Sequence, residues 1–154
     1  MSDWKRRTQE VSFENLMPEI IATMKKHVEQ YNLGPVLSEA LMCIQTDSEK
    51  ARKGLFGSAE TVYTGAVVTP RWLVWAHHGT KMKTVVLSAQ LNDIVVQDYA
   101  QTQFAKMIAD SGINLSGKFT DVSESITAFI GVDESAEGNK FKEAVIKAVQ
   151  DAKK

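Results

Sequence analysis

The chain has 154 residues, 44% of them hydrophobic and 24% charged, with 18 Lys and Arg against 19 Asp and Glu. That length fits one domain able to bury a sizeable core without a disulfide or metal staple. The near-zero charge lacks the strongly basic character with which duplex-binding domains neutralise phosphate, so no nucleic-acid partner is expected.

Met1 to Arg7 is charged, and no apolar segment follows it, which predicts a cytoplasmic protein with no secretory leader. From Phe13 to Tyr31, Phe13, Leu16, Met17, Ile20, Ile21, Met24, Val28 and Tyr31 recur every three or four residues. This spacing predicts an amphipathic helix, starting near Asn15 because Pro18 is tolerated only in a first turn, with Ser12 or Asn15 as N-cap. Gly34 and Pro35 end it. Residues 36–46 fit helix or strand, with a strand favoured for 40–46, and 47–58 read as a long loop. Four short β runs follow, 60–68, 72–77, 84–90 and 94–99, separated by turn residues. Residues 101–110 predict a short helix with Phe104, Met107 and Ile108 on one face. Strands are expected at 113–119 and 125–132. Phe141, Ala144, Val145, Ala148, Val149 and Ala152 then form one stripe of a final helix, with Lys142 among the residues on its other faces. No run approaches the ~20 apolar residues of a membrane span.

Several segments carry a resemblance. Val67 to Trp75 form a strand–turn–strand unit, Val86 to Ile94 a strand junction ending in Asp93-Ile94, and Thr127 to Val132 a last strand followed by the helix from Lys140. Together they resemble the bacterial pleckstrin-homology-like (PH-like) family over about residues 36–154. The resemblance implies an α+β fold: a strongly bent, seven-stranded antiparallel β-barrel or sandwich capped by the C-terminal helix. Residues 1–35 then form an N-terminal helical extension. It also implies that the loop at 48–57 joins the first two strands. In lipid-binding members that loop supplies basic residues to phosphate groups, which makes Lys50, Arg52 and Lys53 candidates for anion or acidic-lipid headgroups, with Leu55 and Phe56 entering the interface. The alternative is a solvated loop with Leu55 and Phe56 folded onto the barrel.

Other constellations have plainer readings. Gly112 to Lys118 has the spacing of a phosphate loop, but Phe119 stands where Ser or Thr would hold magnesium, so a glycine-edged strand is expected. His77 and His78 are adjacent in a strand and point to opposite faces. A catalytic site would have to gather one of them with Asp93, Asp98 or Asp121. His27 reads as solvated. Cys43, the single cysteine, lies in the apolar run 41–44 and reads as a core residue. Trp72 and Trp75, three apart in one strand, face opposite sides. One of them therefore needs a cover, supplied by the first helix or by another subunit. The expectation is a non-enzymatic binding or assembly module with no cofactor or metal. Protein association or self-association would run through Trp72, Trp75, Phe13, Met17 and Met24, with weak acidic-lipid contact as the alternative.

Overall fold

Among the described residues, eight strands form two antiparallel sheets, and two α-helices cover them. In the structure, a computed structural model, residues 3–51, 57 and 59–154 are described. The strands are β1 (Trp4–Glu10), β2 (Met42–Lys50), β3 (Glu60–Val68), β4 (Trp72–Gly79), β5 (Met82–Gln90), β6 (Ile94–Asp98), β7 (Gly112–Gly117) and β8 (Ile126–Gly131). The helices are α1 (Pro18–Gln30) and α2 (Ala136–Ala152). Strands β1 to β5 make a five-stranded meander and β6 to β8 a three-stranded one.

The α+β class expected from the sequence is present, but the sheets do not close into a barrel. Strands β5 and β6 are joined through a 3-10 turn, Leu91–Asp93, and belong to separate ladders. The strand not anticipated is β1. It lies within the segment read as a helical extension, yet it pairs with β2 along its whole length, from Trp4 opposite Lys50 to Glu10 opposite Ile44. Its sequence, WKRRTQE, is polar because it is an edge strand with one buried residue, Thr8. Charged edge strands resist unwanted pairing, and the same charge hides them from a hydrophobicity-based reading.

The register of the large sheet sorts its side chains into two cores. One row across the sheet runs Ile44, Ala66, Trp75, Leu87, and the next row runs Cys43, Val67, Val74, Ser88. Side chains alternate between faces along each strand. The first row therefore faces the small sheet and α2, where it meets Ile113, Leu115, Ile130, Phe141 and Val145. The second row faces α1, which contributes Ile20 and Met24. The large sheet is thus buried on both sides, which is why its central strands read as nearly unbroken apolar runs.

Helix α1 begins three residues later than the sequence reading placed it. Pro18 occupies its first turn, the N-cap is Met17, and neither Ser12 nor Asn15 caps it. Proline is suited to that position because its missing N–H would have no intrahelical partner. Gly65 lets the helix approach the sheet: a Cβ there would lie 2.9 Å from Ile20 Cγ2 and 3.2 Å from Leu16 Cδ2. Helix α2 is capped by Ser135, whose hydroxyl accepts from the Gly138 amide at 3.2 Å. It packs along β6. Lys142 Nζ meets Asp98 Oδ2 at 3.3 Å and Lys153 Nζ donates to the Ile94 carbonyl at 2.7 Å. Lys142, assigned to the helix's outer faces from the pattern, is consequently buried. Strand β2 continues through Lys50, four residues into the segment read as loop.

Candidate functional site

The segment between β6 and β7 departs most clearly from its expected form. In place of an amphipathic helix, residues 99–106 form two 3-10 turns, Tyr99–Gln101 and Gln103–Lys106. Tyr99 takes the buried position, its ring edge-on to Phe129 with centroids 5.3 Å apart. Its hydroxyl donates to the Ile108 carbonyl at 2.6 Å, drawing the two ends of the loop together. Asp98 Oδ1 accepts from the Ala100 amide at 3.0 Å, and Thr102 Oγ1 donates to the Tyr99 carbonyl at 2.7 Å. At the far end, Asp110 is gripped by Arg6 from β1.

With its ends fastened, the loop turns its apolar side chains outward. Phe104, Met107 and Ile108 are 63%, 84% and 65% exposed. Val95, on the outer face of β6 leading into the loop, is 63% exposed. Single exposed apolar residues are ordinary, whereas three within five positions of one pinned loop are not. The sequence offered one sign of this. Tyr99 can fill the core position of the segment, which leaves the Phe104 stripe with nothing to cover.

Of the five residues expected to form an interface, two are internal and three are partly exposed. Trp75 and Met24 are fully buried, on opposite faces of the large sheet. Phe13, Met17 and Trp72 are partly buried against the core that α1 closes. The core closed by α1 thus covers Trp72 and the helix stripe in part. Of the basic-loop residues, Arg52, Lys53, Leu55 and Phe56 lie outside the described residues. Lys50 ends β2, with its ammonium 5.6 Å from the centroid of the Trp4 ring.

His77 and His78 separate as the strand period requires. His77 Nδ1 is 2.9 Å from Thr64 Oγ1 and His78 Nδ1 is 2.6 Å from Thr84 Oγ1. Burial, with a smaller contribution from the Arg6 charge, pushes the His77 pKa down. The carboxylates do not join them: Asp98 pairs with Lys142, and Asp121 accepts from the Tyr31 hydroxyl at 2.9 Å. Gly112 to Gly117 is strand β7, with no helix following it. Gly112 and Gly117 adopt φ of 150° and 147°, and a Cβ on either would collide with a carbonyl of the neighbouring strand or turn. These glycines serve the packing of the small sheet.

His27 is not solvated. It is half-buried, its Nε2 lies 2.8 Å from Ser88 Oγ, and desolvation lowers its pKa. A serine–histidine pair at this distance has the geometry of an activated nucleophile. Ser88, however, is fully buried and donates its own proton to Thr120 Oγ1 at 2.7 Å. The trio is a structural clasp joining α1, β5 and the segment after β7. Cys43 is buried and its thiol is pushed up to about 12, chiefly by desolvation, with Glu14 adding to it. No group of three or more His, Cys, Asp or Glu with metal-binding geometry occurs among the described residues. No helix of the described residues is long and apolar enough to cross a membrane. No family model, curated protein or solved structure matches the chain.

Proposed function

We propose that this domain is a non-enzymatic assembly module that associates with a second copy of itself through the loop at 99–111. The observation that carries the reading is the outward cluster of Phe104, Met107 and Ile108 on a loop fastened at both ends. A pre-ordered loop loses little conformational entropy on docking, so its apolar area contributes more fully to association. A formal charge of −1 leaves little repulsion between copies. The same patch on both partners would make a two-fold interface. Three side chains and their surroundings form a small contact area, so the dissociation constant is expected at roughly micromolar or weaker.

Kinship with the PH-like family belongs to the same reading. It is supported by the order of elements: a meander sheet, a second three-stranded sheet, then a closing helix. Sedimentation velocity across a concentration series tests the assembly. Dimer formation that weakens in Phe104→Asp and Met107→Asp, with unchanged melting temperature, is the expected result. A strict monomer at high micromolar concentration would sink the proposal. A monomer that co-sediments with anionic vesicles would replace it with the acidic-lipid reading.

A further inference from the structure

Helices α1 and α2 terminate at the same end of the molecule, and two depressions of about 650 and 450 Å³ meet there. Both are lined by Asn32, Leu33, Trp72 and Gln90. Trp72 and Gln90 are cross-strand neighbours on β4 and β5, and they form the ridge between the two basins. Arg71 and Asn92 extend the first basin, Asp93 and Lys118 the second. Among the described residues, the side-chain polar groups of Asn32, Arg71, Gln90, Asn92, Asp93 and Lys118 make no hydrogen bond or ion pair; Arg71 donates only its backbone amide, to Thr69 Oγ1. The cleft therefore presents an aromatic ring, three carboxamides and charges of both signs, with their bonding capacity unspent.

The electrostatics narrow the ligand class. The C-terminal ends of both helices line the cleft, at Tyr31 and Asn32 for α1 and at Asp151 and Ala152 for α2. Helix C-termini carry partial negative charge. A phosphate would meet carbonyl ends there, in place of the N-terminal amides that hold anions elsewhere. Arg71 and Lys118 offset Asp93 and the helix ends, so no single sign of charge dominates. A neutral molecule with closely spaced hydroxyls suits this surface. Each hydroxyl can donate to a carboxylate or amide oxygen and accept from a guanidinium, ammonium or amide N–H. The flat C–H face of a sugar ring can lie against the part of the Trp72 indole that stays uncovered where it lines both basins. We propose that the cleft binds a short neutral oligosaccharide laid across the Trp72–Gln90 ridge, with one end in each basin.

Titration of the ¹⁵N-labelled full chain with maltotriose, cellotriose and chitotriose, followed by amide chemical shifts, tests this directly. AMP serves as the anionic comparator. At least one trisaccharide should produce saturable shifts confined to residues 31–33, 71–72, 90–93 and 118–120. The double variant Gln90→Ala, Asn92→Ala alters two exposed residues, and should weaken that binding roughly tenfold at unchanged melting temperature. Trp72 also packs against the α1 core, so Trp72→Phe, which keeps a smaller ring, should weaken binding several-fold while the fold is retained. Absence of cleft shifts with all three saccharides would overturn the proposal. So would cleft shifts produced by AMP alone, or unaltered affinity in the double variant.

Discussion

Arg6 and Asp110, 104 positions apart, form a two-pronged ion pair: Arg6 Nε donates to Asp110 Oδ1 at 2.8 Å and Nη2 to Oδ2 at 2.7 Å. A third donor, Nη1, reaches Ser48 Oγ at 2.7 Å, and the guanidinium carbon lies 5.4 Å from the centroid of the Phe129 ring. The pair fastens the edge strand of one sheet to the loop that carries the exposed apolar cluster. Beside it, Asp133 Oδ2 accepts from the Thr8 amide at 2.8 Å and Thr8 Oγ1 accepts from the Asp133 amide at 3.0 Å. Together these contacts bind β1 to the turn that opens α2.

Replacing Arg6 by Met keeps the stem and removes the fork. The two side chains are 11% and 15% exposed, so solvent screens them little and Asp110 would lose its main partner in a mostly dry site. A loss of about 2 kcal/mol in urea unfolding is expected, below the range for fully buried pairs. Amide exchange in residues 99–110 should accelerate by more than it does in β3. Equal acceleration everywhere would show that the pair supports the fold in general and not the loop in particular.

The docking of α1 can be tested through Gly65 and Ile20. Ile20→Ala should cost about 3 kcal/mol, because a fully buried aliphatic side chain leaves a cavity between helix and sheet. Gly65→Ala should also destabilise, since its methyl would press on Ile20 Cγ2. In the double variant the new methyl enters space that Ile20 vacated. The two costs should therefore sum to less than their separate values in denaturant titrations. Strict additivity would mean that the helix stands further from the sheet than described.

Acidification should weaken the fold through His27 and His77. Burial is the leading cause of the lowered pKa at both, so the native state favours their neutral forms. The unfolded chain takes up their protons first. Their contribution to stability is thus complete above the ordinary value of 6.5 and is lost as pH falls from there toward the depressed native values. Each proton taken up preferentially by the unfolded state gives a slope of at most about 1.4 kcal/mol per pH unit. Urea midpoints measured from pH 7.5 to 5 should fall, and His77→Asn should flatten that fall.

Cys43 should be inert in the native protein. Burial pushes its thiol up to about 12 and shields the side chain, so almost no accessible thiolate is expected at pH 8. Iodoacetamide labelling should therefore proceed at the rate of opening of the α1 core, and should accelerate in Ile20→Ala. Rapid modification of the wild-type chain would contradict the burial described.

Gly112 offers a check on the small sheet. Its φ of 150° and the nearness of the Ile130 carbonyl leave no place for a side chain. Gly112→Ala should cost at least about 2 kcal/mol, with loss of the β7–β8 ladder visible first in exchange of the Ile113 and Ile130 amides.

Periodicity located the C-terminal helix and, within the stripe read from Phe13 to Tyr31, the helix at Pro18–Gln30, and with the turn residues it located the central strands, because each buries a face large enough to impose its repeat on the sequence. The opposite facings of Trp72 and Trp75 followed from the same rule, since strand geometry is local. What covers those faces was not local. Strand β1 carries almost no apolar residues, and its place in the sheet comes from backbone pairing and from Arg6 and Thr8 reaching partners more than a hundred positions away. The loop at 99–111 shows the converse. Phe104, Met107 and Ile108 have helical spacing, but Tyr99 occupies the available core site, so the same pattern that would bury a helix leaves a cluster in water. Whether an apolar stripe is covered, and by what, depends on which other surfaces reach it first, and only the packed chain decides that.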